Sequence, residues 1–133
     1  MTRFVIGPDV ALRLAHDETV IAAGHKLVAP TLLRSQVLSS LYQSVRRGEL
    51  TRADAKRRLE HVRGLRIRLL GDSMMQSVAW RIADKLGWAD TLDAEYLAVT
   101  TLQADAFVTL DAKLAAAVKH IVTVAAFDEL AAH

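Results

Sequence analysis

The sequence predicts an α/β fold, a three-layer sandwich around a mainly parallel sheet of four to five strands. Short apolar runs typical of buried strands alternate along the chain with longer segments whose apolar residues recur at helical spacing. The alternation of strand and helix favours parallel strands covered by helices on both faces. The length of 133 residues suits one domain with its own core, so we expect a single domain over residues 1–133.

The first part of the chain is predicted to hold two strands and two helices. Residues 4–6 form an apolar strand, and a short helix follows Pro8 and Asp9. A second strand is expected at residues 26–29. The next helix opens at Pro30 or Thr31 and ends at Gly48, because glycine readily adopts the conformation found just past a helix end.

The remainder is predicted to continue the alternation. Thr51 is a suitable N-cap for a strongly basic helix over about residues 52–62. A helix that begins at residue 72 or 73 ends at Gly87, and another runs from residue 90 or 91 to about 102. Further strands are expected at residues 67–70, 106–110 and 121–124, with one helix after Asp111 and a short one at the C-terminal end.

Composition excludes several classes of protein. There is no cysteine, so neither disulfides nor thiolate metal sites are expected. No apolar run is long enough to span a bilayer, and the first apolar run is too short for a signal peptide. P-loop, dinucleotide-binding and serine-hydrolase motifs are absent from the sequence. We therefore expect a cytoplasmic protein with no membrane association.

Positive charge is concentrated in one part of the chain. Residues 46–68 contain nine basic and three acidic side chains, a net charge of +6, whereas the rest of the chain carries −4. Such a segment can track an RNA backbone, since phosphates are contacted mainly by Arg and Lys. The predicted RNA-binding residues are Arg46, Arg47, Arg52 and Lys56. The alternative is a solvated helix face whose Arg stems cover apolar surface.

Three acidic residues are candidates for one site. Asp9 directly follows the first predicted strand, Asp111 directly follows the fourth, and Asp93 lies in the first turn of a helix. In a parallel sheet, functional groups gather beyond the carboxyl ends of the strands. A carboxylate cluster without His or Cys favours a hard cation, Mg²⁺ or Mn²⁺. The alternative is that each Asp only caps a helix, as in an unrelated α/β domain.

Two motifs carry a resemblance to a known family. The segment TLDAEYLA at residues 91–98, followed by AFVTLDAKL at residues 106–114, resembles the C-terminal half of VapC-type PIN-domain toxins. The first strand with Asp9 and the helix that opens at Pro30 are similar to the N-terminal half. The resemblance covers almost the whole chain. It implies a metal-dependent endoribonuclease that a small antitoxin protein neutralises.

The resemblance also implies roles for individual residues. Asp9, Asp93 and Asp111 would bind Mg²⁺ or Mn²⁺, and Thr109 would help to hold that metal site. The family's remaining acid is a Glu on the helix that opens at the proline, and here that position is Gln36. An amide oxygen can contact a metal or its water, but it supplies no negative charge and is a poor general base.

Three interpretations of Gln36 stay open at the level of sequence. The chain is a degenerate PIN domain that binds RNA or protein without efficient cleavage, or Asp90 or Glu95 compensates for the missing acid. In the third interpretation, a Glu-to-Gln exchange was introduced to disarm a toxic enzyme.

The helix that contains Gln36 carries an apolar stripe. The stripe is either a core face or, as the resemblance implies, one wall of a groove that receives the C-terminal segment of the antitoxin. Its residues are Leu38, Leu41, Tyr42 and Val45. The resemblance also implies a homodimer.

Overall fold

A computed structural model describes residues 1–132. Its centre is one sheet of four parallel strands, in the order β3-β2-β1-β4. The strands are β1 (Thr2–Ile6), β2 (His25–Pro30), β3 (Arg68–Leu70) and β4 (Ala106–Val108). The strands are largely apolar because helices cover both faces of a parallel sheet, and Val5 and Ile6 on β1 and Val108 on β4 are fully buried.

Six helices surround this sheet. They are α1 (Pro8–His16), α2 (Leu32–Arg46), α3 (Arg52–Gly64), α4 (Ser73–Leu86), α5 (Leu92–Gln103) and α6 (Ala112–Val118). Helices α1, α2 and α3 contact one another, whereas α4 packs on α5, which itself lies against β1, β2 and β4. The predicted three-layer α/β sandwich with a parallel sheet is confirmed.

Local signals in the sequence fix several helix ends. The side chain of Thr51 accepts a hydrogen bond from Asp54 N at 3.1 Å, and that of Asp72 accepts one from Met75 N at 2.9 Å. Each bond satisfies a backbone donor that the helix itself leaves unpaired. At the other end of α4, Gly87 has φ of +67°, the left-handed conformation in which a side chain is strained.

The prediction of a fifth strand at residues 121–124 is wrong for most of that segment. Only Val124 makes a bridge to the sheet, parallel to Phe107. The backbone N–H groups of Ile121 and Val122 donate to Val118 O, which continues the turn at the end of α6. Residues bonded in this way are not extended. A short 3₁₀ helix follows at Phe127–Leu130, and Ala131 after it makes an antiparallel bridge to Ile21.

The fourth strand is shorter than the predicted residues 106–110. It ends at Val108 because Thr109 and Leu110 turn away from the sheet and donate hydrogen bonds to Asp9. Within residues 1–132, no helix has both the length and the apolar character that crossing a membrane requires.

The capping role of Asp72 yields a first prediction. Asp72→Ala should lower the free energy of unfolding by about 1 kcal/mol, because Met75 N loses its acceptor at the start of α4. Asp72→Ser keeps a capping oxygen and should lose much less. Urea denaturation of the two variants checks this, and equal losses would contradict the assigned cap.

Candidate active site at the carboxyl edge of the sheet

Two adjacent strands bring the first acidic residues together. β1 and β4 are neighbours, and Ile6 is in register with Val108 at their carboxyl ends. The chain continues from β1 into α1, which carries Asp9 in its first turn, and from β4 into Thr109 and Asp111. Parallel pairing therefore joins residues about one hundred positions apart in the sequence.

The Asp9 carboxylate is held by hydrogen bonds across this junction. Its Oδ2 accepts from Thr109 Oγ1 at 3.0 Å and from Leu110 N at 2.8 Å, while its Oδ1 accepts from Val10 N at 2.9 Å. Bonds to a charged acceptor are stronger than neutral ones. Asp9 does not cap α1, because the N-cap residue of that helix is Gly7.

Gly7 is a residue whose importance sequence analysis missed. A Cβ atom at this position would lie 2.6 Å from Asp9 Oδ1, closer than non-bonded atoms approach. A side chain here would push the carboxylate out of its hydrogen bonds. The signal in the sequence is a single glycine between a strand and a proline, which is too common to be diagnostic.

Asp111 has a structural role as well as a place in the cluster. Its Oδ1 accepts from Leu114 N at 3.0 Å and caps α6, so the interpretation of Asp111 as a helix cap is correct. Its backbone N donates to Thr109 Oγ1 at 3.1 Å. The Thr109 hydroxyl therefore links Asp9 to the backbone of Asp111.

Asp93 completes the acidic cluster, which we define as Asp9, Asp93 and Asp111. It lies in the first turn of α5, is exposed, and accepts no hydrogen bond from the described residues. Burial of part of the group raises its pKa first of all, and the negative charges of Asp90, Asp111 and Asp9 raise it further. The three predicted acids thus share one region of negative potential.

Gln36 reaches the same region through a buried tyrosine. Tyr96 follows Asp93 by one helical turn, has only 2% of its surface exposed, and donates its hydroxyl proton to Gln36 Oε1 at 2.5 Å. Burial raises the pKa of Tyr96 strongly, and the charges of Asp9, Asp93 and Glu95 add to that effect. The hydroxyl therefore stays protonated, and residue 36 must present an acceptor to it.

The carboxylate oxygens of the acidic cluster are ligands that suit a hard cation, but their arrangement does not enclose one. Within residues 1–132, no three carboxylate or imidazole side chains converge closely enough to enclose a metal ion. Asp9 is fixed, whereas Asp93 is exposed and accepts no hydrogen bond from residues 1–132. A bound cation would be attracted by the charges of Asp9, Asp93 and Asp111, and it would offset the repulsion that adds to the raised pKa of Asp93.

The two candidate compensating acids differ in position. Asp90 Oδ1 accepts from Leu92 N at 3.1 Å, next to the start of α5, and its charge acts on Asp93. Glu95 is partly buried, which raises its pKa, and its charge acts on Tyr96. The charge of Asp90 thus acts on a metal-binding candidate, Asp93, whereas that of Glu95 acts on Tyr96.

The predicted RNA-binding residues all lie on the surface. Arg46, Arg52 and Lys56 are exposed and have no ionic partner in the described part of the chain. Arg47 is different, because its guanidinium bonds Glu49 at 2.9 and 3.0 Å, which raises the pKa of Arg47 and lowers that of Glu49. Much of its charge is neutralised within the chain.

The apolar stripe of α2 divides between core and surface. Leu41 is buried with Leu33 and Val37, four residues apart on one helix face, so its prediction as a groove residue is wrong. Leu38 and Tyr42 point away from that face, with 56% and 64% of their surface exposed, and Val45 is partly exposed. The interpretation of the stripe as a core face is therefore wrong for Leu38 and Tyr42.

Comparisons with known proteins agree with the fold. The structure is similar to the crystal structure of PAE2754 from Pyrobaculum aerophilum, with a TM-score of 0.75 over 96% of this chain and 90% of that chain, at 22% sequence identity. No family model matches the sequence, and no curated protein matches it. The similarity at this identity concerns the fold.

Thr109 allows a test of the hydrogen bonds that hold Asp9. Thr109→Val keeps the shape and removes the hydroxyl, so Asp9 Oδ2 loses a donor and Asp111 N loses an acceptor. We expect a loss of about 1–2 kcal/mol in the free energy of unfolding. Thr109→Ser should lose less, since it keeps the hydroxyl. Urea denaturation compares the two, and a valine variant as stable as the serine variant would contradict the assignment.

The raised pKa of Asp93 predicts a pH-dependent effect on stability. Its folded pKa lies above the ordinary value of 3.8, so ionised Asp93 destabilises the folded protein. The penalty is absent below pH 3.8, grows as the pH rises through the folded pKa, and is complete at neutral pH. Asp93→Asn in EDTA should therefore raise the free energy of unfolding at pH 7, by less than about 1 kcal/mol because solvent screens an exposed charge.

Thermal unfolding at pH 7 and at pH 3 measures this difference. The gain should disappear at pH 3, where Asp93 is protonated in both the folded and the unfolded chain. Asp128→Asn is the matched control, because Asp128 is also an exposed acid in the first turn of a helix. A gain that persists at pH 3, or that Asp128→Asn shares, would show that the raised pKa of Asp93 is not its cause.

Proposed function

We propose that this chain is a Mg²⁺- or Mn²⁺-dependent endoribonuclease of the PIN type and the toxin of a toxin–antitoxin pair. The observation that supports this most directly is electrostatic. Burial raises the pKa of Asp93 first, and the negative charges of Asp90, Asp111 and Asp9 raise it further, at the sheet edge where α/β enzymes hold their sites. A cation bound at this edge would offset the repulsion between these carboxylates.

Asp9, Asp93 and Asp111 would hold the metal, and Thr109 would keep Asp9 in place. A divalent cation bound by them supplies positive charge to a phosphodiester and lowers the pKa of a water molecule for attack. Asp9 is fixed in advance by three hydrogen bonds, so binding does not have to order it. Asp93 is exposed to solvent, so it would be accessible to the metal and to the substrate.

Gln36 favours a second candidate function, a PIN domain that binds RNA or a protein with little cleavage. Its Oε1 accepts the Tyr96 hydroxyl proton, and an amide adds no charge to the acidic cluster. A glutamate at this position would accept the same proton and add a fourth carboxylate. Gln36→Glu is therefore a substitution that the local hydrogen bonding tolerates.

The proposed partners follow from the surface residues. Arg46, Arg52 and Lys56, which form no ion pair within the described residues, supply positive charge for an RNA backbone, and Arg47 contributes less because it pairs with Glu49. Leu38 and Tyr42, with Val45 beside them, are the exposed apolar positions that an antitoxin segment would cover. A homodimer and a cytoplasmic location belong to the same proposal.

Cleavage of labelled single-stranded RNA in Mn²⁺ tests the function. We expect the Gln36→Glu variant to cut faster than the unchanged chain, because the added carboxylate strengthens metal binding. In the Gln36→Glu background, Asp9→Asn and Asp111→Asn should each lower the rate by about 100-fold. EDTA should abolish cleavage.

Asp84→Asn in the same background is the control and should keep the rate. If the unchanged chain cleaves RNA and this cleavage depends on Asp90, then Asp90 compensates for the missing acid. Cleavage only after Gln36→Glu would support the second candidate function for the chain as it stands. Unchanged cleavage in Asp9→Asn would rule out the proposed site.

A further inference from the structure

A row of basic side chains crosses the sheet at the edge opposite the acidic cluster. Arg3 on β1 is in register with Lys26 on β2, and Arg68 on β3 is in register with Val28, two residues beyond Lys26. Side chains in register, or two apart on one strand, lie on the same face of a sheet. Arg3, Lys26 and Arg68 therefore project side by side from one face.

These cations have no acidic partners in the described part of the chain. The ion pairs there involve other residues, and Asp105 accepts from the backbone N of Arg3 and not from its guanidinium. All three side chains are exposed. Like charges on adjacent strands destabilise a sheet, so packing gives no reason for this arrangement.

A fourth cation joins the row from a strained position. Arg66 precedes β3 and has φ of +55°, a left-handed conformation that is unfavourable for any residue with a Cβ. Arg66 lines the same depression as Arg3, Lys26 and Arg68. We call these four residues the basic cluster. The conformation of Arg66 belongs to the end of α3, since a left-handed residue commonly follows a helix C-cap.

The depression is a shallow cavity of about 240 Å³. It lies beside Gln103, the last residue of α5, so the negative end of that helix dipole faces the basic cluster. That end is equivalent to roughly half a unit charge, far less than four full positive charges. The cluster therefore keeps a large net positive charge that a ligand can neutralise.

We propose that the basic cluster binds the phosphodiester backbone of an RNA strand, at a second site distinct from the acidic cluster. The choice of RNA rests on the proposed ribonuclease function. Helix α5 begins beside the acidic cluster and ends beside the basic one, so its twelve residues separate the two by about 18 Å. No aromatic side chain lines the described cavity, so the contacts are to phosphates and independent of sequence.

The salt dependence of RNA binding tests this proposal. The probe is a fluorescein-labelled oligouridine about 12 nucleotides long, with binding followed by anisotropy in EDTA so that no cleavage occurs. The test variant combines Arg3→Gln, Lys26→Gln and Arg68→Gln. The slope of log K against log salt should fall by about 2, and binding at low salt should weaken by about tenfold.

A matched control removes the same charge elsewhere. It combines Arg81→Gln, Lys85→Gln and Lys119→Gln, three exposed cations outside the cluster and without ion pairs in the described chain. The control should change the slope by less than a third as much. Arg3→Lys with Arg68→Lys keeps the charge and should retain binding, which separates a loss of charge from a loss of folding. Equal effects of the two triple variants would overturn the proposal.

Two further arms separate the sources of phosphate. Inorganic phosphate, at the same concentration of phosphate groups, should not displace the RNA, because several linked phosphates bind together. Displacement would overturn the proposal in favour of a single-phosphate site. If the test variant loses binding to phosphatidylserine vesicles while its RNA binding is unchanged, the ligand of the basic cluster would be a membrane surface and not RNA. Loss of RNA binding in the test variant, without metal-dependent cleavage by any variant, would keep this site and reject the ribonuclease.

Discussion

The common direction of the four strands is the constraint on which the rest of the structure depends. Parallel strands place all their carboxyl ends at one edge, and the register of Ile6 with Val108 brings Asp9 next to Thr109 and Asp111. α5 runs back across the same sheet, so Asp93 lies at this edge and Gln103 at the other. The two edges consequently differ in charge, with carboxylates at one edge and, at the other, cations that have no ion pair within residues 1–132.

The acidic edge combines one rigid carboxylate with others that repel each other. Asp9 is fixed by the Thr109 hydroxyl and by backbone N–H groups. The pKa of Asp93 is raised first by partial burial of its carboxyl and then by the charges of Asp90, Asp111 and Asp9. Repulsion of this kind destabilises a folded protein, and the buried strands and α5 supply the apolar contacts that offset it. Tyr96 connects the apolar core to Gln36, since its ring belongs to the core and its hydroxyl donates a hydrogen bond to Gln36.

Sequence patterns predicted most elements of the fold because their signals are local. Apolar runs, the caps at Thr51 and Asp72, and the stop at Gly87 depend on neighbouring residues alone. The convergence of Asp9 with Asp111 was also predictable, since it follows from parallel strands. The bond from Tyr96 to Gln36 was not, because it depends on how α5 and α2 pack across sixty positions. Residues 121–124 failed as a strand, since β-branched residues fit a turn after α6 as well as a sheet.

We propose that the carboxyl edge of the sheet gathers Asp9, Asp93 and Asp111 into one cation site. Calorimetric titration with Mn²⁺ tests it most directly, on the unchanged chain, on Asp9→Asn and Asp93→Asn, and on Asp84→Asn as the control. We predict saturable Mn²⁺ binding to the unchanged chain and tighter binding after Gln36→Glu. Asp9→Asn and Asp93→Asn should each lose binding, whereas Asp84→Asn should bind Mn²⁺ as the unchanged chain does. No binding to either the unchanged chain or Gln36→Glu, or binding that survives both Asp9→Asn and Asp93→Asn, would contradict the account.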